Sequence, residues 1–461
     1  MRNNAKSYQH FPPILLTFAP AKQNMKKTDR EILGIALPAI VSNITVPLLG
    51  LVDVTIVGHL GDAAYIGAIA VGGMLFNIIY WIFGFLRMGT SGMTAQLYGK
   101  QNRTEIVQML VRAAVIGGGI ALVLIALQIP IREGAFLLIR PTETVGRLAT
   151  TYFHICIWGA PAMLGLYGLT GWYIGMQNSR IPMLIAITQN VVNIVASLCL
   201  VYLCGMKVEG VALGTLIAQY AGLLMGILLW IRHYGYLRSS FHREGLFRRP
   251  VMTRFFEVNR DIFLRTLCLV AVTLFFTSAG AGQGDIILAV NTLLMQLFTL
   301  YSYIMDGFAY AGEALSGKFI GAGDRSSFST TVRRLFGWGT AMALLFTAVY
   351  ALGGQNVLNL LTDDSSVTEA AADFFGWALL IPAVGMAAFI WDGIYIGATY
   401  TRGMLQAMGV AAALFFLLYY SLYSIWGNHA LWLAFLIYLS ARGLVQTILA
   451  RRLYRKVFPK K

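Results

Sequence analysis

The sequence predicts an all-α integral membrane protein, with about twelve transmembrane helices in two pseudo-symmetric six-helix bundles, and three observations carry that prediction. First, 57% of its 461 residues are hydrophobic and 12% are charged, with a mean hydropathy of +0.68, against about 25% charged in an ordinary soluble chain. Second, apolar runs long enough to cross roughly 30 Å of hydrocarbon as helices recur along nearly the whole length. A membrane barrel would instead show alternating strands of about ten residues. Third, if spans are counted from the start, 28 of the 35 Lys and Arg residues fall on one side, and only Arg132, Arg140, Arg147 and Lys207 fall on the other. The positive-inside rule makes the first side, with both termini, cytoplasmic. Topology therefore accounts for the net charge of +15, and nucleic acid is not expected as a partner.

Taken in order, residues 1–25 read as a disordered or extraneous extension, with Met25 an alternative start. The first span, Ile32 to Gly61, is apolar yet contains Pro38, Pro47 and Asp53. Asn43, Pro47, Gly50 and Asp53 share one helical face, so a polar stripe is expected to line a cavity. A carboxylate at membrane depth costs about 2.5–3.5 kcal/mol on insertion scales and so marks an ion path or a partner. Each proline leaves a carbonyl four residues back without its helical donor, on Gly34 and Asn43, so the helix can bend. A second span, about Ala64 to Leu86, leads to a cytoplasmic segment, RMGTSGMTAQLYGKQNR. A Gly-rich third span precedes an outside loop broken by Pro130, Glu133 and Pro141. The fourth, fifth and sixth spans run from about Thr151 to Met176, Pro182 to Leu203 and Val211 to Ile231. The basic, aromatic stretch 233–260 reads as a cytoplasmic linker between an amino-terminal bundle, 26–232, and a carboxy-terminal bundle, 261–461.

An internal repeat supports that division. GWYIGMQNSR at Gly171 answers GIYIGATYTR at Gly393, 222 residues on, and GKQNR at Gly99 answers GAGDR at Gly321 at the same offset. The pair Gly61 and Gly84 answers Gly284 and Gly307 at 223, and Pro161 answers Pro382 at 221. With an even number of spans per half, the copies share one orientation about an axis along the membrane normal, and substrate is expected in a V-shaped cleft between them.

Polar residues inside the spans supply the candidate site. Asn190, Asn193 and Ser197 lie on one face of the fifth span, Thr215 and Gln219 on one face of the sixth, and Tyr152 near the start of the fourth. In the second half Asp306 and Glu313 stand two turns apart, with Arg265 and Arg87 as candidate ion-pair partners that lock the cytoplasmic side. Asp392 is a further acid well inside an apolar run, and the Thr170 at its repeat position, which shows that the repeat itself does not require one, makes Asp392 a site candidate. The four cysteines sit in apolar runs without disulfide or metal spacing and are expected in the core. Nucleophile elbows, metalloprotease motifs and nucleotide-binding loops are absent from the sequence, so neither an enzyme nor an ATP-driven pump is expected, and no metal or cofactor.

The stretches LPAIVSNITVPLLGLVDVTIVGHLGD, FGFLRMGTSGMTAQ, GWYIGMQNSRIPM, FFEVNRDIFLRTL and WDGIYIGAT resemble the multidrug and toxic compound extrusion transporters, in particular their DinF subfamily. The resemblance covers roughly residues 26–461. It implies export of cationic or amphipathic drugs driven by uptake of protons or sodium ions, by a protein expected to be monomeric in the lipids of a bacterial inner membrane. It matches Asp53 to the family's coupling carboxylate, Pro38 to its bend-forming proline, and Asn193, Thr215 and Tyr152 to the polar network around that carboxylate. Ser197 departs from the pattern, because similar transporters often carry an acid there, and this favours protons over sodium as the coupling ion. A flippase for lipid-linked anions, which can share the fold, would want cleft arginines such as Arg87 and Arg265.

Overall fold

In the computed structural model, which describes residues 21–58, 62–362 and 364–459, the chain is helical and no strand occurs among the described residues. The first half contains α1 (Ala21–Gly58), α2 (Ala63–Phe83), α3 (Phe85–Gly99), α4 (Arg103–Ala126), α5 (Gln128–Ile139), α6 (Glu143–Cys156), α7 (Ala160–Gly175), α8 (Arg180–Leu198) and α9 (Val208–Tyr234). The second contains α10 (Arg249–Ala281), α11 (Asp285–Gly321), α12 (Arg325–Leu361), α13 (Ser365–Gly397), α14 (Thr401–Trp426) and α15 (Asn428–Val457). Among the described residues eleven helical segments are long and apolar enough to cross a membrane. With α1, some of whose side chains lie outside the described residues, they make up the expected twelve. Leu352, Leu203 and Ile425 are 88%, 81% and 73% exposed; lipid, not protein, covers side chains of this kind.

The repeat seen in the sequence reappears as geometry. Asn102 caps α4 by accepting from the Glu105 amide at 3.1 Å, and Asp324, 222 residues on, caps α12 by accepting from Ser327 at 3.0 Å. The turns after α7 and α13 place Gln177 and Thr399, again 222 apart, in the left-handed region. Glycines let paired helices touch through their backbones. A Cβ on Gly171 would lie 2.3 Å from the Arg87 carbonyl oxygen, and one on Gly393 would lie 2.1 Å from that of Ala309. Between the halves the contact is reciprocal: a Cβ on Gly99 would meet the Lys318 carbonyl oxygen at 1.9 Å, and one on Gly321 that of Gln96 at 2.0 Å.

The halves meet on the arginine-rich side. Gln96 donates to the Gly397 carbonyl at 2.9 Å, Gln177 to that of Ala314 at 2.8 Å, and Lys318 to Glu31 at 3.3 Å. Arg334 and Trp338 of α12 hold Asp29 of α1. The contact furthest from that side is Asn43 donating to the Tyr303 carbonyl at 3.1 Å. Past Asn43, hydrogen bonds to α1 from other helices come from the first half, from Asn190 and Tyr202. Helix α1 belongs to both: Ile32, Ile35 and Ala36 pack in the core of the second half, and Ile56 packs in that of the first.

Several expectations need correction. Residues 1–20 lie outside the described residues, but 21–25, expected in the extension, belong to α1. The expected cytoplasmic segment after the second span is largely α3, whose Leu86 and Gly89 to Gln96 are buried, because its small residues allow close packing against α7, α11 and α13. The outside loop is largely α5, since Pro130 falls in the first turn of the helix, where a missing amide costs nothing. Residues 249–260 of the expected linker form the start of α10, opened by Pro250 at its first turn. Cys156 is buried, but Cys199 and Cys204 are exposed, because an apolar run in a membrane protein faces lipid as readily as core. Asn43 ties α1 to α11.

Candidate functional site

Asp53 stands ten residues past Asn43 along α1, about 15 Å at helical rise, in the portion that has left the second half and lies against α8. Asn190 of α8 donates to the Thr45 carbonyl at 3.0 Å, and Tyr202 donates to that of Ile56 at 3.4 Å, which fixes this portion of the helix. The Asp53 side chain is buried, 8% exposed, and its Oδ1 has no hydrogen-bond partner. Tyr152 and Cys156, one turn apart on α6, lie within its electrostatic reach, and Tyr152 also faces Thr215 of α9. Asn193 of α8 is fully buried and donates to Thr215 Oγ1 at 3.0 Å, which leaves its own Oδ1 unpartnered. Ser197, one turn further along α8, is also fully buried, and its hydroxyl sits where a Cβ on Gly214 would lie 2.2 Å away.

The structure thus brings Asp53, Tyr152, Asn193, Thr215 and Ser197 together in the first half, around oxygens that lack donors. That arrangement can take up a proton or accept a cation. It also contains a residue that sequence reasoning passed over: Cys156 was read only as core. Gly72 seats the Tyr152 ring, since a Cβ there would lie 2.4 Å from it; apart from its small size, nothing in the local sequence signals that role.

Pro38 is half-buried within a continuous α1. Ser179 of the α7–α8 turn donates to the Ile35 carbonyl at 2.8 Å and reaches that of Gly34, the group Pro38 leaves without a helical donor, at 3.5 Å. The Pro47 side chain lies outside the described residues.

A second constellation lies in the other half. Asp392 on α13 accepts from Arg265 of α10, from Arg442 of α15 at 2.8 Å and from Gln446 of α15 at 2.6 Å. All four are nine-tenths or more buried. The Arg442 and Gln446 partners were missed, although their spacing of four in an apolar run placed them on one helical face. Glu313 of α11 reaches across to Arg87 of α3 at 3.7 Å, and that guanidinium also lies 4.2 Å from the Tyr310 ring centroid. Asp306, half-buried on α11, lies within electrostatic reach of Arg87, Arg265 and Arg442 without a direct bond to any of them. Arginines and carboxylates are matched here, three of each.

Two helical halves related by a repeat, with ionisable groups at membrane depth, are an organisation common among membrane transporters. The MatE family model matches residues 38–199 and 262–421. The chain belongs to this family of membrane transporters, which are not enzymes, and it is a multi-pass inner-membrane protein. It is 39% identical to the DNA damage-inducible protein F of Escherichia coli K12 over 438 residues, 94% of each chain. It is 20% identical to the multidrug export protein MepA of Staphylococcus aureus (strain NCTC 8325 / PS 47) over 82% of each. Its fold matches the crystal structure of the Vibrio cholerae MATE transporter VcmN in the bent form with a TM-score of 0.82, at 16% identity, covering 94% of this chain and 99% of that one.

Proposed function

We propose that the chain is a secondary antiporter that exports lipophilic or cationic compounds in exchange for protons, with Asp53 as the coupling carboxylate. The single observation that carries this reading is an acid buried without a partner for Oδ1, on the helix that both halves hold. An ionised carboxylate placed there needs a compensating charge, and either a proton or a cationic substrate supplies it. Because the two compete for one place, taking up a proton on the acidic side and binding drug after its release couple the two fluxes without further machinery. Bending of α1 at Pro38 and Pro47 carries the change from Asp53 to the interface. The charge asymmetry supports both termini on the cytoplasmic side of a bacterial inner membrane. In this reading Asp392, Arg265, Arg442 and the Arg87–Glu313 pair are structural charges that fix the second half and close the cytoplasmic side.

A lipid-linked anion flippase would call on Arg87 and Arg265. Each already has a carboxylate partner, Glu313 and Asp392, which favours the drug antiporter. The test is drug efflux from proteoliposomes with proton and sodium gradients imposed separately, for wild type and Asp53→Asn. Transport on a proton gradient alone, abolished in the variant, supports the proposal; transport on sodium alone, or a fully active variant, overturns it.

A further inference from the structure

We infer that the start of α10 forms a binding site for an anionic phospholipid, with the headgroup among basic residues at the arginine-rich end and an acyl chain in an adjoining aromatic groove. The two compartments are separate cavities that share one wall. Arg249, Thr253, Glu257 and Arg260, on one face of α10, line both of them. On the apolar side, a cavity of about 770 Å³ lies among Phe83, Phe85, Ile116, Ile120, Phe256 and Phe263. On the other, a cavity of about 870 Å³ brings in Arg254, Arg402 and Lys456.

The charges decide what the basic compartment takes. Five cations face two acids there, Glu257 and Asp261. Asp261 is already engaged by Arg260 at 3.1 Å and by Thr401 at 3.0 Å, and Arg254 is held by Gln96 and Thr399. Arg249 and Arg402, both exposed, have no ion pair among the described residues. An excess of cations next to an apolar groove, on a helix that enters the membrane, is complementary to a phosphate that carries acyl chains. A free phosphate would use the basic compartment and leave the apolar one without a role. Phe256 is 54% exposed at the rim of the groove and sits where a chain would lie.

The full-length protein, delipidated in neutral detergent, is titrated with phosphatidylglycerol, phosphatidylcholine or inorganic phosphate, and bound ligand is read by native mass spectrometry. Phosphatidylglycerol is expected to bind in preference to phosphatidylcholine. Combining Arg249→Gln with Arg402→Gln should weaken it about 30-fold, from about fivefold per surface arginine. The Arg→Lys pair should restore most of the binding, and Phe256→Ser should weaken phosphatidylglycerol while leaving phosphate unchanged. All replaced side chains are exposed, and melting temperatures confirm that each variant folds. Equal binding of both lipids, undiminished binding by the double Gln variant, or displacement of the lipid by inorganic phosphate with Phe256→Ser silent would each overturn the assignment.

Discussion

Two buried carboxylates in this chain have opposite surroundings. Asp392 accepts from three side chains and bridges two buried arginines, whereas Asp53 keeps an oxygen without any partner. Breaking a buried ion pair from one side leaves an uncompensated charge and costs about 3–5 kcal/mol. Asp392→Asn is therefore expected to destabilise the protein by that order in detergent unfolding measurements, while Asp53→Asn leaves the melting temperature at or above that of wild type. A third acid gives a pH signature outside the membrane. Hydrogen bonds from Arg334 hold the Asp29 carboxyl below its ordinary value of 3.8, against a smaller opposing effect of burial. A group whose folded value is depressed contributes stability above its unfolded value and loses it as pH falls through the folded one. The tie between α1 and α12 should thus persist at neutral pH and weaken only below about pH 4. Asp29→Asn should remove that acid-dependent step at a cost of at most about 1 kcal/mol at pH 7, read from melting curves across pH. At this scale helical periodicity put Asp53, Asn193 and Thr215 each on a polar face of its own helix, and only the family resemblance grouped them around one carboxylate. It could not show that Asp392 is saturated, because its partners Arg265 and Arg442 come from helices 127 and 50 residues away in the chain.

Helices were legible wherever apolar runs reached membrane-spanning length. The polar composition of α3 hid it: Thr90, Ser91, Thr94 and Gln96 belong to what reads as a cytoplasmic segment between spans, yet all four are buried in a helix. Small polar residues serve as well in a tight helix interface as in a loop, and only the packed partner distinguishes the two. The repeat, by contrast, was visible as letters and returned as contacts, because glycines at Gly99 and Gly321 meet each other's helices through backbone. Carbonyl groups cannot rotate aside as a side chain can. Gly99→Ala or Gly321→Ala is therefore expected to force α3 and α11 apart and to cost about 1–3 kcal/mol, whereas Gly118→Ala, with open space around the new methyl, leaves stability unchanged. Melting temperatures of the three variants give the comparison.

For the molecule as a whole, the arrangement is a pair of half-structures that meet on the arginine-rich side and share α1. Arg87 and Glu313 span that contact in a buried setting. Glu313→Gln should loosen it, and hydrogen exchange is expected to quicken in α3 and at the end of α11 while the cores of both halves stay protected. The central claim is that proton and substrate compete for Asp53, and the most direct measurement follows protons released when a cationic drug binds the purified protein in weakly buffered detergent solution. Wild type is expected to release protons as drug saturates, and Asp53→Asn to release none. If the variant releases as many protons as wild type, the coupling carboxylate lies elsewhere and the role assigned to Asp53 is contradicted.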